Sequence, residues 1–540
     1  MQLPPPTEAP DPARLEVLRQ LFTAVAEEMG AALRRSALSP NIKERRDYSC
    51  AVFDAGGRPV AMGDHMPVHL GAMPASVQAA LARHPEPAAG DVLILNDPFE
   101  GGTHLPDITL VAPVHLEGAS SPVAFVAARA HHADVGGMTP GSMPLATEIH
   151  QEGLRIPPMH LVRQGRRVSQ VWTMIRANVR TPDEREGDLE AQLAALHRGR
   201  LRVEELARRS DDLAADMAAV LAHAHRTLRA GIRAIPDGVY RGEDHLEDDG
   251  FGGGPFPIRV ALRISGDELV ADFTGSAPTA RGGINAVGAI TASALRHVLR
   301  CVVEDLLGTP LPAGGGAMEG VRLVLPENSV VNAAPPAAVA AGNVEASQRI
   351  TDVLLLALGG ALPDRMPALS QGTMNNLTLG GRRPPDDPRA PGAPFTWYET
   401  MGGGMGAGPD GPGLSGVHVH MSNTLNTPVE ALENEIPVQV EAYRIRRGSG
   451  GTGRHRGGEG LERVLRPLVP VTVTLLAERR TRGPRGVRGG EAGAPGSAHL
   501  EPAGGGPPET LPAKVTFEAA PHSLLTVRSP GGGGWGPPSN

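Results

Sequence analysis

The segment 96–137 places two groups of polar side chains at the ends of apolar runs. It reads NDPFEGGTHLPDITL, then a hydrophobic run, then AARAHHADVGG. His104 and Asp107 lie three residues apart in the first group. The second group has three members: His131, His132 and Asp134. If the apolar runs are paired strands, both groups reach the same end of one sheet.

These residue types are the ones that hold a divalent metal in proteins. Histidine nitrogens and carboxylate oxygens are common metal ligands, and the neighbouring glycines allow the backbone to turn tightly around such a site. Asp97 also stands at the end of an apolar run, VLILNDP. The alternative is that all are polar loop residues beside strands, but two groups after two apolar runs favour a metal site. The pattern names no metal, since mixed nitrogen and oxygen ligands suit zinc, manganese or iron.

The composition indicates a globular, multidomain protein. A chain of 540 residues is too long for a single core. A net charge of −8 argues against a nucleic-acid partner. No run of about 18 apolar residues is present, which argues against a membrane partner as well. Two cysteines cannot build a disulfide framework, and the N-terminus lacks the pattern of a signal peptide, so we expect a cytoplasmic location.

Periodic patterns predict a mixed α/β (α+β) fold. An apolar stripe predicts a helix over 13–36, and SCAVFDAGGRPVAMG at 49–63 predicts a hairpin. Residues 181–235 form a charged helical segment that Gly199 could divide in two. Alternating apolar residues predict strands and turns over 236–275.

We expect three domains with soft boundaries. Residues 13–235 would form an N-terminal, sheet-based metal-site domain that includes the helical segment. Residues 236–429 would form a central α/β domain, and residues 430–540 a β-rich C-terminal domain. The first bound follows the end of the helical pattern at 235, and the second follows the change to strand-like sequence near 430.

No familiar nucleotide-binding loop is present. Gly448, Gly450 and Gly453 match GxGxxG, but the following RHRGGEG cannot open the helix that a dinucleotide fold requires. A Walker A loop needs GK[ST], which the chain lacks. The run GGGMGAG at 402–408 could cradle an anion with its N–H groups or could be a packing turn.

Eight long segments carry a resemblance to one family. They are SPNIKERRDYSCAVFD (39–54), HMPVHLGAMPASV (65–77), NDPFEGGTHLPDITLVAPV (96–114), RAHHADVGGMTPGSMP (129–144), EIHQEGLRIPP (148–158), GNVEASQRITDVLL (342–355), QGTMNNLTLGG (371–381) and SGVHVHMSNTLNTPVEALE (415–433). Together they resemble the hydantoinase B/5-oxoprolinase family, which includes the B-type chain of N-methylhydantoinase.

The resemblance implies an enzyme that works in a hetero-oligomer. Members act with an A-type subunit of actin-like fold, which binds ATP with magnesium. The pair hydrolyses carbon–nitrogen bonds of cyclic amides such as hydantoins, 5-oxoproline or lactams, an activity of EC 3.5.2 type. Related ATP-dependent carboxylases of acetone and acetophenone share this chain type, so a carboxylase subunit is one alternative. A non-catalytic scaffold for the A-type subunit is another.

The resemblance also assigns roles to residues. It implies one divalent metal, held by four ligands: Asp47, His104, Asp107 and His131. Acid/base chemistry needs a proton-transferring side chain. The catalytic candidates in family-like segments are His69, His132, Asp134 and Glu148, with Glu152 a further possibility. Arg129 and Arg155 are candidates for binding a substrate carboxylate or phosphate, since arginine can hold such groups by two parallel hydrogen bonds. A structural ion pair is the alternative for both arginines.

Overall fold

A seven-stranded antiparallel sheet forms the centre of the N-terminal half. The computed structural model describes residues 11–311, 318 and 320–538. The sheet has the order β2-β1-β5-β4-β3-β6-β7. Its strands are β1 Tyr48–Asp54, β2 Pro59–Met62, β3 Val92–Leu95, β4 Asp107–Val114, β5 Ala124–His131, β6 Met159–Arg163 and β7 Arg166–Arg167. The predicted hairpin over 49–63 is confirmed as β1 and β2.

Helices cover both faces of this sheet, which is why β1, β4 and β5 are buried along their whole length. Helices α1 and α5 pack on one face, and α3 packs on the other. The helices of this half are α1 Pro12–Ser36, α2 Pro40–Lys43, α3 His69–Arg83, α4 Ser169–Asn178, α5 Pro182–Arg209 and α6 Leu213–Arg233. The predicted helix over 13–36 is confirmed as α1.

The expected helix break at Gly199 is wrong. Helix α5 runs through Gly199, and the chain breaks at 210–212, where Asp212 caps α6 by accepting a hydrogen bond from the Ala215 N–H. A Cβ atom at position 199 would lie 2.4 Å from Met29 Sδ. Gly199 therefore lets α5 approach α1 closely instead of ending a helix.

A second, four-stranded sheet follows in the order β11-β10-β9-β8. Its strands are β8 Gly238–Leu246, β9 Phe256–Ser265, β10 Glu268–Asp272 and β11 Val321–Val324, and helices α7 Gly288–Leu307 and α8 Ser347–Ala361 accompany it. A π-helical turn, Gly342–Ala346, leads directly into α8. The core of this region is continuous with that of the N-terminal half.

Two further antiparallel sheets form the rest of the chain, with orders β13-β12-β16-β19 and β14-β15-β20-β17-β18. Their elements are β12 Asn376–Arg382, β13 Pro394–Glu399, α9 Val429–Glu435, β14 Val438–Arg446, β15 Gly460–Pro467, β16 Val471–Leu476, β17 Ser497–Glu501, β18 Glu509–Thr510, β19 Lys514–Ala519 and β20 Leu524–Arg528. Strand β12 pairs with β16. The boundary expected near 430 therefore falls inside one sheet.

The glycine run 402–408 is a packing turn in which backbone segments touch. The Gly458 N–H donates to the Met405 carbonyl at 2.8 Å, and the Gly532 N–H donates to the Gly458 carbonyl at 2.9 Å. A Cβ atom on Gly404 would lie 2.1 Å from the Gly458 carbonyl oxygen. Only glycine permits such an approach. The GxGxxG match at 448–453 belongs to the same region and opens no helix.

Within the described residues, none of the helices combines the length and the apolar character needed to cross a bilayer.

Candidate metal centre

Three side chains of the two polar groups come together at one edge of the first sheet. Asp107 opens β4, His131 closes β5, and the two are direct partners in the antiparallel register. His104 stands in the turn just before β4, with Nε2 3.2 Å from Asp107 Oδ1. One potential ligand atom from each residue lies within 4.8 Å of those of the other two. The expectation that both groups reach the same end of one sheet is confirmed, and we call these three residues the His/Asp cluster.

The ring of His104 is held by a backbone carbonyl. His104 Nδ1 lies 3.1 Å from the Ala340 carbonyl oxygen, which can only accept, so Nδ1 carries the proton. The lone pair of Nε2 then faces Asp107. This is the arrangement by which a hydrogen bond to one ring nitrogen directs the other toward a metal.

The ring of His131 lies between an aromatic face and an amide. Tyr398 stacks on it with ring centroids 4.4 Å apart and an interplanar angle of 13°. The Asn41 amide nitrogen lies 3.2 Å from His131 Nδ1. His131 Nε2 is buried and has no hydrogen-bond partner, and the same is true of Asp107 Oδ1. Asp107 Oδ1 is a buried acceptor without a donor, which fits a bound cation because buried polar atoms are almost always paired. His131 would offer Nε2 to that cation with the Asn41 amide turned so that its oxygen accepts from the Nδ1–H.

The protonation states of the cluster also suit a cation. Burial lowers the pKa of His131 well below its usual range, so the ring is neutral near pH 7. Burial by itself raises the pKa of Asp107, but His104 and His69 outweigh it and hold that pKa well below the usual range. Metal ligands must be a neutral imidazole and an ionised carboxylate.

Asp47 and His69 border the cluster. The Asp47 carbonyl accepts from the His131 N–H at 3.0 Å, which fixes the start of β1 beside the end of β5. The buried Asp47 carboxylate lies 3.6 Å from Arg45, and burial raises its pKa. His69 Nε2 lies 3.4 Å from Asp107 Oδ2, and its Nδ1 lies 2.8 Å from Ser49 Oγ. Asp47 lies outside the tight cluster of three but lines the same cavity.

This cavity has a volume of about 10 Å³, close to the minimum of about 10–15 Å³ that holds one water molecule. Asp47, His69, Asp107 and His131 form one part of its wall. The polar side chains of the remaining wall come from distant segments: Asn343, Tyr398, Thr400, Ser422 and Thr424. The cavity is therefore polar and has room for one small ion or water molecule.

Asn343 is a site residue that sequence reasoning missed. Its Nδ2 lies 3.0 Å from His104 Nε2 and 3.3 Å from Asp107 Oδ2, and its Oδ1 is buried without a partner. It belongs to the π-helical turn before α8. Such turns are frequent at functional sites. Asn343 lies in GNVEASQR, part of a segment that carries the family resemblance, and this is the sequence signal that could have identified it.

His132, Asp134 and Glu148 lie outside the cluster. His132 Nε2 lies 3.0 Å from Gln192 Oε1, under α5. Asp134 accepts hydrogen bonds from Arg180 Nη1 at 2.9 Å and from the Arg180 backbone N–H. Glu148 is exposed and pairs through its backbone with Ala337. Their catalytic roles stay predictions, and these contacts are structural ones.

The two arginine candidates are engaged in contacts of their own. Arg129 is buried and donates to Thr109 Oγ1 at 2.8 Å and to Ser76 Oγ at 2.5 Å. Burial lowers its pKa to about 10. Arg155 donates to Asp97 Oδ2 at 2.6 Å, and neither residue lines the cavity beside the cluster. The contacts of Arg155 are therefore those of a structural ion pair, which was the alternative to substrate binding.

Glu152 reaches the cluster indirectly. Its Oε1 accepts from the Val339 N–H at 2.7 Å and from the Ala340 N–H at 2.9 Å, and the Ala340 carbonyl accepts from His104. The side chain is fully buried, and burial raises its pKa to about 8. The Glu152 carboxyl thus supports the segment that orients a cluster histidine.

Comparisons with known proteins agree with this architecture. The chain is 37% identical to 5-oxoprolinase 1 of Arabidopsis thaliana over 97% of its length, but it spans only 42% of that relative. It is 26% identical to a protein of a Pseudomonas species that is named as the B-type chain of a D-/L-hydantoinase, covering 98% of this chain and 90% of the relative.

A solved structure matches the whole fold. The crystal structure of an ATP-dependent caprolactamase from Pseudomonas jessenii superimposes with a TM-score of 0.87 at 27% identity, covering 98% of this chain and 92% of that chain. The family model described as Hydantoinase B/oxoprolinase matches residues 11–538. The chain therefore belongs to the hydantoinase B/oxoprolinase family.

Proposed function

We propose that this chain is the metal-bearing B-type subunit of an ATP-dependent cyclic-amide hydrolase that works with an ATP-binding A-type partner. The observation that carries the proposal is the buried His/Asp cluster, in which His131 Nε2 and Asp107 Oδ1 have no hydrogen-bond partner. The names of the relatives support the substrate class. The partner is supported by the length of the plant 5-oxoprolinase, of which this chain spans 42%.

The ligand set offers two imidazoles and one carboxylate. His104, Asp107 and His131 would hold the ion, with Asp47 as the fourth ligand from the cavity wall. Two nitrogens and carboxylate oxygens suit zinc, manganese or iron. A divalent ion bound there supplies a Lewis acid that lowers the pKa of water to about 7.

The chemistry of a cyclic amide explains why two subunits cooperate. The amide carbon is a poor electrophile because resonance delocalises the nitrogen lone pair onto oxygen. The A-type partner would use ATP to phosphorylate the amide oxygen, which makes the carbon more electrophilic and provides a leaving group. In this chain, His69 lies beside Asp107 and is in reach to move a proton, and Asn343 is placed to orient a polar group in the cavity.

Elemental analysis tests the first step. Wild-type chain and His104→Ala are purified gently and supplied with zinc, manganese and iron(II) in turn. The proposal expects about one metal per wild-type chain and none in the variant. A wild-type chain that stays metal-free after this treatment would refute the metal centre and favour the scaffold alternative.

Turnover tests the second step. The assay contains the wild-type chain, the A-type partner and MgATP, with a hydantoin, 5-oxoproline or caprolactam as substrate. The amounts of ADP and of ring-opened product are measured. We expect product only when both subunits and ATP are present. Ring opening by the isolated chain without ATP would contradict the proposal. Incorporation of labelled bicarbonate into a ketone substrate would instead identify the carboxylase alternative.

A further inference from the structure

A chain of hydrogen-bonded side chains leads from the cavity wall to His418. Thr400, Thr424 and Ser422 line the same cavity as Asp107 and His131. Thr400 Oγ1 lies 3.0 Å from Thr424 Oγ1, and Thr424 Oγ1 lies 3.5 Å from Ser422 Oγ. Ser422 Oγ lies 3.1 Å from His418 Nδ1. We call the three hydroxyls the hydroxyl chain. All three residues are buried, whereas His418 is partly exposed.

At the His418 end of these hydrogen bonds, the orientation of the Asn426 amide fixes which nitrogen of His418 carries the proton. The Asn426 amide nitrogen donates to the Thr400 carbonyl at 2.7 Å, and a carbonyl can only accept. Asn426 Oδ1 therefore faces His418 Nε2, at 3.4 Å, and also accepts from the Tyr443 hydroxyl at 2.8 Å. His418 Nε2 must then carry the proton. Its Nδ1 is left as the acceptor for the Ser422 hydroxyl.

The direction of the hydrogen bonds is set by the His418 end and is compatible with the arginine at the near end. Arg45 Nη2 donates to Thr400 Oγ1 at 2.9 Å, and a guanidinium cannot accept. Each hydroxyl has only one proton. Ser422 gives its proton to the bond with His418 Nδ1 and must accept from Thr424, and Thr424, whose proton faces Ser422, must accept from Thr400. Every proton of the hydroxyl chain points toward His418. The remaining lone pairs of Ser422 and Thr424 can accept from a water molecule in the cavity.

We propose that His418 is a relay residue that carries the proton of the nucleophilic water from the cavity to solvent. The inference rests on the proposed function, since it assigns an exit to the proton that ring opening releases. One O–H bond of the water breaks as its oxygen bonds to the activated carbon. Its proton passes to the hydroxyl chain, each hydroxyl hands one proton on, and Nδ1 of His418 receives one. The imidazolium then releases one proton to solvent.

The alternatives within the cluster are less suited to this step. His104 and His131 are committed as ligands, and His69, although in reach of a proton at Asp107, is fully buried and cannot pass that proton to solvent. Burial lowers the pKa of His418 to about 4, so the ring is neutral before the transfer and gives up the proton readily afterwards. His418 therefore combines an acceptor nitrogen at the end of the hydroxyl chain with partial exposure to solvent.

The decisive variant is His418→Gln, with His420→Gln as its control. His420 lies two residues further in the same segment, but its ring faces His297, at a centroid distance of 6.2 Å, and not the hydroxyl chain. In the complex with the A-type partner and MgATP, in dilute buffer, we expect ring opening by His418→Gln to fall about 10²-fold. Added imidazole should restore much of the loss. Metal content should be unchanged, and the control should stay within about twofold of wild type.

A second readout does not depend on turnover. The protein is labelled with ¹⁵N-histidine, and the ring resonances of His418 are assigned by their absence from the spectrum of His418→Gln. These resonances should show the tautomer with the proton on Nε2. The Ser422→Ala substitution should shift the Nδ1 resonance. An Nδ1–H form would overturn the relay, as would an active His418→Gln that imidazole does not affect. If His418→Gln fails to fold, loss of turnover in Ser422→Ala decides the question. A wild-type complex without metal or turnover would instead refute the proposed function.

Discussion

His131 and His132 are adjacent in the sequence and contact opposite sides of the same sheet. His131 joins the His/Asp cluster, whereas His132 bonds to Gln192 of α5. The difference follows from the alternation of side chains along a strand. An HH pair read from the sequence alone looks like two equivalent ligands, but the sheet makes only one of them available to the site.

The pair provides a matched test of the metal centre. His131→Ala should lose bound metal, since it removes one of three clustered ligands. His132→Ala should keep the metal and instead reduce the free energy of unfolding by about 1–3 kcal/mol, because Gln192 Oε1 is left without a donor. Metal content and thermal unfolding of both variants check this. Loss of metal in His132→Ala alone would contradict the assignment.

Glu152 should influence metal affinity without touching the metal. Its carboxyl holds the backbone of Val339 and Ala340, whose carbonyl orients His104. Glu152→Ala should weaken metal binding by about 10- to 100-fold, the usual cost of removing a group that orients a ligand. Glu152→Gln keeps an accepting oxygen and should bind almost as tightly as wild type. Competition with a fluorescent chelator measures both, and equal affinities in all three chains would rule out the support role.

The same carboxyl should make stability depend on pH. Burial raises the pKa of Glu152 from 4.5 to about 8, so the folded chain holds this proton more tightly than the unfolded chain. The contribution to stability is complete below pH 4.5 and is lost as the pH rises through 8, at about 1.4 kcal/mol per pH unit. Glu152→Gln stays neutral and escapes this loss. The melting temperatures of Glu152→Gln and wild type are measured without metal, and the variant's value minus the wild-type value should increase from pH 5 to pH 8. A difference that does not change with pH would contradict the raised pKa.

Asp134 should prove structural. It is fully buried and accepts from both the backbone and the side chain of Arg180, which ties the loop after β5 to the start of α5. Asp134→Ala should lower the free energy of unfolding by about 1–3 kcal/mol, because donors lose their acceptor. Metal content and turnover per folded chain should stay at wild-type values. A stable Asp134→Ala chain that has lost turnover would return Asp134 to the group of catalytic candidates.

The part of the site that could be predicted from the sequence is the part built by neighbouring strands. Asp107 begins β4, His131 ends β5 and His104 lies in the turn just before β4, so their meeting follows from the antiparallel pairing of two strands that are close in sequence. Asn343 and Ser422 reach the same cavity from segments more than 200 residues away. No local periodicity encodes such a contact. Asp47 was found only through the family resemblance, since a single carboxylate before a strand carries no signal.

The domain boundaries show the same limit. The pairing of β12 with β16 joins residues about 100 apart in sequence, and the sequence of neither strand specifies its partner. The change of pattern near 430 coincides with the starts of α9 and β14. It marked a change of element type, whereas the sheet itself continues across it.

Gly458→Ala should destabilise the chain far more than Gly408→Ala. A Cβ on Gly458 would lie 1.9 Å from the Leu414 carbonyl oxygen, which is backbone and cannot rotate away, whereas a Cβ on Gly408 meets no atom within 4 Å. We expect a loss of about 3 kcal/mol or more for the first variant and less than about 1 kcal/mol for the second. Thermal unfolding of both chains measures the difference.

The glycine packing around Gly458 also affects the proposed relay residue, His418. Gly403 pairs through its backbone with Val417, the residue before His418, and Thr400 stands three residues before Gly403. This bridge therefore joins the segment that carries Thr400 to the segment that carries His418. Gly458→Ala should reduce turnover at temperatures below its melting point, while metal bound at the first sheet is retained. Equal turnover by the two folded glycine variants would show that the glycine packing stabilises the C-terminal sheets without positioning His418.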